Sequence, residues 1–275
     1  MDYRGGRIRR KIYFGTAILM LGLVLGMRCA QLPTGCGEET TTGIPQDSWL
    51  QVDGGQALEE GTKLVCLTFD DGPSATTTQV LNILKEEQLP ATFFVTAADH
   101  NREYLPLIAR AVEEGHQIAL HTAKHRYQDI YASTEAFWLD IKELRQSICH
   151  YVDLSTVTWL RFPGGSTNTV SHKYGGSSIM KDLKEQAREK GYQVIDWNVC
   201  AEDAVGGHPT ASQILKNIKE DAQDKSVCVV LMHDTAATTT TVQALPDIIS
   251  WFRSQGFTFC TVEEMARQTG QTGPA

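Results

Sequence analysis

The chain has 275 residues, of which 41% are hydrophobic and 21% are charged, and its formal net charge is −8. This composition is ordinary for a globular protein and excludes the collagen-like, disordered and multi-span membrane classes. The charge is divided unevenly, because residues 1–28 carry a net charge of +5 and the remaining 247 residues sum to −13. Nucleic-acid binding is disfavoured, since the acidic body offers no basic cluster to neutralise phosphates.

The amino terminus has the form of an export signal. Sixteen uncharged residues, Ile12 to Met27, directly follow a basic cluster. The stretch is short for a membrane span but tolerable with local thinning, and Arg28 interrupts the small residues that cleavage requires. We therefore predict an uncleaved single-pass anchor in the cell membrane through residues 12–27, with the acidic body outside the cell. Secretion after cleavage is the alternative.

The chain divides into four predicted regions. Residues 1–28 form the basic terminus and signal anchor, and residues 29–61, which are rich in Gly, Thr, Pro and acidic residues, form a flexible extracellular linker. Residues 62–270 form a single catalytic domain, and residues 271–275 form a tail. The seven cysteines include no CxxC pair, and their odd number argues against a complete disulfide framework, so we expect no essential disulfide.

In the predicted domain, apolar β-rich runs alternate with amphipathic helical stretches. The predicted strands are Leu64 to Phe69, Ala91 to Thr96, Gln117 to Leu120, Val157 to Phe162, Gln193 to Val199, Val227 to Met232 and Phe257 to Thr261. The predicted helices are Thr77 to Gln88, Arg102 to Glu114, Thr134 to His150, Met180 to Lys190, Ala211 to Gln223 and Val242 to Gln255. This alternation predicts an α/β protein, an irregular (β/α) barrel of about seven parallel strands with outer helices.

Two adjacent carboxylates, Asp70 and Asp71, directly follow the first strand and precede a Gly-Pro turn. Barrel enzymes keep their reactive groups at the carboxyl ends of strands. A turn or a helix cap explains one aspartate here and explains two less well.

A histidine pair, His121 and His125, follows the third strand. On a helical turn, positions i and i+4 share a face and suit two imidazole ligands of one metal ion. No glutamate follows His121, which excludes the HExxH arrangement of metalloproteases, so a carboxylate from elsewhere has to complete the site. Either Asp70 or Asp71 meets that need.

Three further segments end strands with polar residues. They are Arg161-Phe162-Pro163-Gly164-Gly165, Asp196-Trp197-Asn198 and Leu231-Met232-His233-Asp234. Each one alone has a structural explanation, such as a surface ion pair or a solvated strand end. Together they place arginine, aspartate and histidine at successive strand ends, which is the convergence expected of an active site.

These motifs, in this order and spacing, resemble those of the polysaccharide deacetylases, the family-four carbohydrate esterases. The five segments are TFDDG (68–72), HTAKH (121–125), RFPGG (161–165), DWN (196–198) and LMHD (231–234). The resemblance covers about residues 62–268. It implies an irregular (β/α) barrel and metal-dependent removal of acetyl groups from extracellular glycans.

The resemblance also implies roles for particular residues. Asp71, His121 and His125 would bind a divalent metal ion, Asp70 would act as general base, and His233 would act as general acid. Zinc is the expected ion, although such ligands also admit cobalt, nickel or manganese.

A second group of residues would support these. Arg161 would position the base, Asp196 would orient or charge His233, and the N–H of Gly164 would help to hold the oxyanion. The residues expected to contact the acetyl group or the sugar are Gly164, Pro163, Trp197 and Leu231.

Two departures from the family pattern concern the substrate groove. Many members have a second Asp-Trp pair after the fourth motif, whereas Ala204 stands here in place of that tryptophan, and Gly164 stands where others carry an aromatic residue. We expect N-deacetylation of peptidoglycan at N-acetylglucosamine or N-acetylmuramic acid. The alternatives are a deacetylase of chitin oligomers, poly-N-acetylglucosamine or acetylated xylan, and a non-catalytic glycan-binding protein.

Overall fold

The computed structural model describes residues 49–50, 61–206 and 209–270. The strands in this part of the chain are β1 (Trp49–Leu50), β2 (Leu64–Asp70), β3 (Thr92–Thr96), β4 (Gln117–Thr122), β5 (Trp159–Leu160), β6 (Gln193–Ile195), β7 (Val199–Cys200), β8 (Val227–His233) and β9 (Thr258–Phe259). The α-helices are α1 (Ala75–Glu87), α2 (Leu107–Glu113), α3 (Tyr127–Ile130), α4 (Thr134–Ile148), α5 (His172–Gly175), α6 (Ile179–Glu189), α7 (Ala211–Ala222), α8 (Thr239–Ser254) and α9 (Val262–Gln268). Short 3-10 helices occupy Arg102–Tyr104 and Leu154–Thr156.

The strands form one parallel sheet that curls toward closure. The order is β1-β6-β5-β4-β3-β2-β8-β7, and β9 also pairs with β2. Strands β6 and β7 lie near opposite ends of this order, yet only residues 196–198 separate them in the chain, so the two ends of the sheet come together. No ladder joins β6 to β7 among the described strands. The predicted irregular (β/α) barrel is confirmed.

Alternation along β2 builds two apolar layers. Val65, Leu67 and Phe69 are fully buried in the large cluster between the sheet and the helices. Leu64 and Cys66 point the opposite way, into a smaller cluster that fills the barrel interior. Asp70 continues this inward-facing series, so the strand delivers a carboxylate to the mouth of the barrel.

All seven predicted strand segments contain a strand, but three are shorter or broken. Val157 to Phe162 forms only β5, Phe257 to Thr261 forms only β9, and Gln193 to Val199 is split into β6 and β7. The split occurs beside Asn198. Its amide donates to Val227 O at 2.8 Å and accepts from Val229 N at 2.8 Å, and its backbone N–H donates to Val229 O at 3.2 Å, so side-chain and backbone bonds together join this segment to β8.

The predicted helices are present with small shifts. The segment Arg102 to Glu114 is divided into a 3-10 turn and α2. Helix α8 begins at Thr239, earlier than predicted, and contains Pro246 within it. The short helix α9 was not predicted, although Thr261 and Glu264 form a capping box at its start.

The predicted anchor, residues 12–27, lies outside the described residues, as does most of the predicted linker. Within the range of that linker, β1 pairs in parallel with β6. No helix in the described part of the chain is both long and apolar enough to span a membrane. Cys149 is disulfide-bonded. The thiols of Cys66, Cys200, Cys228 and Cys260 are free.

Candidate active site

The carboxyl ends of β2, β4 and β8 bring the predicted catalytic groups together. Asp70 and His233, the last residues of β2 and β8, are partners in the parallel register. Asp71 follows with a left-handed backbone (φ 70°), which turns the chain at the barrel mouth. The next residue, Gly72, packs so closely on Asp234 that a Cβ would lie 2.2 Å from Oδ2 of its carboxylate.

Asp71, His121 and His125 form a cluster with the geometry of a metal site. Asp71 Oδ1 lies 3.3 Å from His121 Nε2 and 3.2 Å from His125 Nε2, and the two imidazole rings are 5.0 Å apart. This Asp71 oxygen is buried and accepts no hydrogen bond. His121 Nδ1 lies 2.7 Å from Arg161 O, which fixes the donor nitrogen there and leaves the Nε2 lone pair to face the cluster.

The carboxylate and the two imidazoles of this cluster shift one another's pKa values. Burial raises the pKa of Asp71, but the adjacent imidazoles of His121 and His125 outweigh it and hold the pKa well below its usual range. Burial and the neighbouring His121 lower the pKa of His125, whereas Asp70 and Asp71 raise the pKa of His121 against the effect of its burial. A carboxylate and a neutral imidazole are the forms that bind metal ions.

The histidine pair reaches this geometry by a route that differs from the predicted helical turn. His121 lies in β4, and His125 follows a tight loop with a left-handed backbone (φ 52°). Asp140 of α4 anchors this loop, because its carboxylate accepts from Ala123 N at 2.5 Å and Lys124 N at 3.2 Å. The expectation of a helical i, i+4 face was therefore wrong, although both side chains converge.

Arg161 lies fully buried in the barrel interior and holds Asp70. Its Nη1 donates to Asp70 Oδ1 at 2.8 Å and to Thr68 Oγ1 at 2.8 Å, while Nη2 donates to Asp196 O at 3.0 Å. The guanidinium also lies 4.0 Å from the centroid of the Phe94 ring. The other oxygen of Asp70, Oδ2, lies 3.9 Å from His121 Nε2 and faces the histidine cluster.

The partner of His233 is Asp203, which corrects the predicted pairing with Asp196. His233 Nδ1 lies 2.8 Å from Asp203 Oδ1, and Asp203 Oδ2 accepts from His233 N at 2.8 Å and from Thr241 Oγ1 at 2.7 Å. Burial lowers the pKa of His233, but the hydrogen bond and charge of Asp203, with the charges of Asp70 and Asp71, raise it to about 9.

Asp196 instead fastens the loop that follows β5. Its Oδ1 accepts from Ser166 N at 2.8 Å and its Oδ2 accepts from Ser166 Oγ at 2.6 Å. A Cβ on Gly165 would lie 3.3 Å from the Trp197 ring and 3.5 Å from Asp196 Oδ1. The Asp196 side chain therefore faces the loop after β5. The carboxylate that contacts His233 is that of Asp203, in the loop after β7.

The remaining predicted contact residues lie around this loop. Pro163 O accepts from the Tyr131 hydroxyl at 2.8 Å. Gly164 is exposed with φ 76°, and its N–H donates to no acceptor among the described residues. Half-buried Trp197 has its ring centroid 5.7 Å from the Arg161 guanidinium, and Leu231 is buried in β8.

Asp203, Asp140 and Tyr127 are the site residues that the sequence did not single out. Asp203 stands at the aspartate of the second Asp-Trp pair that follows the fourth motif, but Ala204 replaces the tryptophan that would mark the pair. No motif marks Asp140. Burial, with the nearby Asp71 carboxylate, raises the pKa of the Tyr127 phenol.

A curled (β/α) barrel whose strand ends gather an Asp-His-His cluster, a buried Asp-Arg pair and a His-Asp pair has the arrangement of a metal-assisted hydrolase. Comparison with known proteins identifies the family. Residues 57–195 match the sequence profile "Polysaccharide deacetylase". The chain belongs to the polysaccharide deacetylase family, the family-four carbohydrate esterases, and is a hydrolytic enzyme.

Several relatives cover most of the described domain. The peptidoglycan-N-acetylglucosamine deacetylase of Bacillus cereus is 31% identical over 74% of this chain and 89% of its own length. The chitooligosaccharide deacetylase of Rhizobium leguminosarum bv. trifolii is 29% identical over 70% of this chain and 87% of its own. The catalytic domain of peptidoglycan N-acetylglucosamine deacetylase from Eubacterium rectale superposes with a TM-score of 0.70 at 34% identity, over 77% and 93% of the two chains.

Proposed function

We propose that this protein is a divalent-metal-dependent N-deacetylase that acts outside the cell on peptidoglycan, at N-acetylglucosamine or N-acetylmuramic acid. The observation that carries the proposal is the orphaned, buried Asp71 Oδ1 between the Nε2 atoms of His121 and His125. Asp70 and His233 flank this cluster from adjacent strands. A base and an acid on either side of a cation site are what amide hydrolysis requires.

Asp71, His121 and His125 would hold the ion, and zinc is the ion that we propose. Two imidazoles and one carboxylate are common zinc ligands, and three protein ligands leave a position open for water or substrate. When bound, the ion supplies Lewis-acid chemistry that acidifies a water molecule and polarises the acetyl carbonyl. The hydrogen bond from His121 Nδ1 to Arg161 O keeps the imidazole ring in the ligating orientation.

The proton steps follow from the two carboxylate pairs. Asp70 Oδ2 takes a proton from the attacking water, while Arg161 holds Oδ1. His233 Nε2 then donates a proton to the departing amine nitrogen, so that the amide C–N bond breaks and acetate and a free amine form. Asp203 holds the Nδ1 proton of His233 and stabilises the charged ring before that transfer. The N–H of Gly164 is an available donor for the acetyl oxygen.

The substrates named for the related proteins support the proposed substrate of this one. The names of the Bacillus cereus and Eubacterium rectale proteins specify peptidoglycan N-acetylglucosamine, which supports peptidoglycan as the substrate here. The name of the Rhizobium protein supports chitin oligomers as the second candidate. The extracellular location is supported by the uncharged segment 12–27 after its basic cluster, acting as membrane anchor or as secretion signal.

The test is acetate release by the full chain from peptidoglycan, N-acetylglucosamine oligomers, poly-N-acetylglucosamine and acetylated xylan in parallel. We expect release from peptidoglycan that a chelator abolishes and zinc restores. Preferred release from the oligomers would assign the second candidate. The Asp70→Asn variant is the matched control, because it keeps the size of the side chain but removes the base. Equal acetate release by that variant and the wild type would overturn the role of Asp70 as the base. No release by either protein from any of the four glycans would favour a glycan-binding protein.

A further inference from the structure

Tyr127 lies at the barrel mouth but has no part in the mechanism above. It begins α3 two residues after His125, and its half-buried ring meets the His125 ring edge-on with centroids 5.9 Å apart. On its other side the ring packs against Tyr131 at 5.5 Å. The Tyr127 ring is therefore held next to a proposed metal ligand by contacts on both sides.

The hydroxyl of Tyr127 has no hydrogen-bond partner among the described residues, whereas the hydroxyl of Tyr131 donates to Pro163 O at 2.8 Å. The two neighbouring tyrosines therefore differ in the hydrogen bonding of their hydroxyls. Tyr131 is fully buried and satisfied within the fold, while Tyr127 is half-buried and keeps an open donor. A phenol with a buried ring and an unpaired hydroxyl at a cleft is suited to contact a ligand.

Gly164 gives this hydroxyl its room. A Cβ at position 164 would lie 2.6 Å from the Tyr127 hydroxyl oxygen, which is closer than real Cβ atoms approach. The N–H of Gly164 is itself without an acceptor in the described part of the chain. Two hydrogen-bond donors, the Tyr127 hydroxyl and the Gly164 N–H, are therefore open at the same wall of the site.

We propose that Tyr127 is a substrate-binding residue whose phenolic O–H donates a hydrogen bond to the acetyl oxygen, beside the N–H of Gly164. The inference rests on the proposed function, because an acetamido substrate supplies the acceptor that both donors lack. The phenolic O–H is a hydrogen-bond donor, and the oxygen of an acetamido group is an acceptor. A donor placed here binds the acetyl oxygen of the substrate and also stabilises the negative charge that develops on that oxygen during hydrolysis.

The first test removes only the hydroxyl, in the full chain. In an Asp70→Asn background that does not turn over, Tyr127→Phe should weaken binding of an N-acetylglucosamine tetramer about three- to tenfold, the worth of one neutral hydrogen bond. With Asp70 intact, Tyr127→Phe should lower kcat/KM for acetate release about tenfold or more. Tyr104→Phe is the control, because its ring lies outside the cluster of aromatic contacts around His125.

The second test is a double-mutant cycle on kcat/KM. Gly164→Ala forces a Cβ against the Tyr127 hydroxyl and strains a left-handed backbone, so we expect a loss of activity. In a Tyr127→Phe background part of this loss has already occurred. The fold-loss in kcat/KM of the double variant should therefore be smaller than the product of the fold-losses of the two single variants.

Binding and kcat/KM of Tyr127→Phe within twofold of the parent would overturn the inference, as would independent effects at positions 127 and 164. Absence of acetate release from the wild type as well as from every variant, together with weakened tetramer binding by Tyr127→Phe, would contradict the proposed function and leave the Tyr127 contact supported.

Discussion

His233 and Asp203 are joined by a 2.8 Å contact between Nδ1 and Oδ1, and the other oxygen of the same carboxylate accepts from the backbone N–H of His233. The two contacts fix both the ring and the strand end that carries it. Thr241, at the start of α8, adds a third hydrogen bond to Asp203. The orientation of the proposed general acid is thus set by a loop, a strand and a helix together.

The first prediction concerns the pH profile of the general acid. A general acid works while protonated, so activity falls as the pH rises through the pKa of His233, which Asp203 and its neighbours raise to about 9. Asp203→Asn removes the charge, so the high-pH limb of kcat/KM should move to lower pH by roughly one to two units.

Asp196→Asn is the matched control, because Asp196 contacts Ser166 rather than His233. It should lower activity by loosening the loop and leave the high-pH limb in place. A shift of that limb in the Asp196 variant, with none in the Asp203 variant, would restore the pairing that the sequence indicated.

The second prediction concerns metal affinity. His125→Ala removes one of the three proposed ligands, so zinc affinity should fall at least tenfold and acetate release should fall with it. Isothermal titration of the metal-stripped protein measures the affinity directly. His150→Ala, at an exposed histidine, should bind zinc like the wild type. Unchanged affinity in the His125 variant would remove it from the ligand set.

The third prediction concerns the buried ion pair. Arg161→Met leaves Asp70 buried without its cationic partner, which should destabilise the protein by about 3–5 kcal/mol and abolish most activity. Arg102→Met breaks an exposed pair with Asp99 and should change stability by less than about 1 kcal/mol. Thermal denaturation of both variants makes the comparison. Equal effects would mean that the burial of Arg161 does not determine its importance.

The fourth prediction concerns stability in acid. His116 is buried, its Nδ1 accepts from Ala91 N at 3.2 Å, and burial lowers its pKa to about 4. The unfolded chain takes up a proton near pH 6.5 and the folded chain does not, so the stability that this group contributes is present above about pH 6.5 and is lost as the pH falls toward 4. The total is roughly 3 kcal/mol.

His116→Asn should therefore destabilise the protein more at pH 8 than at pH 4.5, since asparagine has no proton to gain. Tm measured across this range tests the difference, with exposed His150→Asn as control. Parallel curves for wild type and the His116 variant would show that His116 titrates equally in both states.

Much of the fold could be predicted because strands and helices that pack on the core keep a regular pattern of apolar residues in the sequence. The weakest strand predictions were those of β5, β6, β7 and β9, where each strand is only two or three residues long. At Asn198, side-chain hydrogen bonds to β8 add to the backbone bond, and no apolar pattern signals the break between β6 and β7. Helix α9 could have been found from the spacing of Thr261 and Glu264, since a capping box is local.

The sequence predicted which residues form the candidate site better than it predicted which of them contact one another. Asp71, His121 and His125 converge as expected, but the loop that carries His125 depends on Asp140, which lies on a distant helix. The partner of His233 was misassigned because adjacency at strand ends does not say which loop folds over. The partner of His233 depends on the pairing of β7 with β8, which brings the loop after β7 next to the end of β8.

The most direct test of this account is a zinc titration of the metal-stripped full chain, with bound metal and acetate release from peptidoglycan measured in the same samples. We predict that release is absent without metal, rises in proportion to occupancy and reaches its plateau at a single equivalent of zinc. The Asp71→Asn variant should fail to follow that curve. Undiminished acetate release from the stripped wild-type chain, or none from any acetylated glycan at full zinc occupancy, would contradict zinc-dependent deacetylation by this protein.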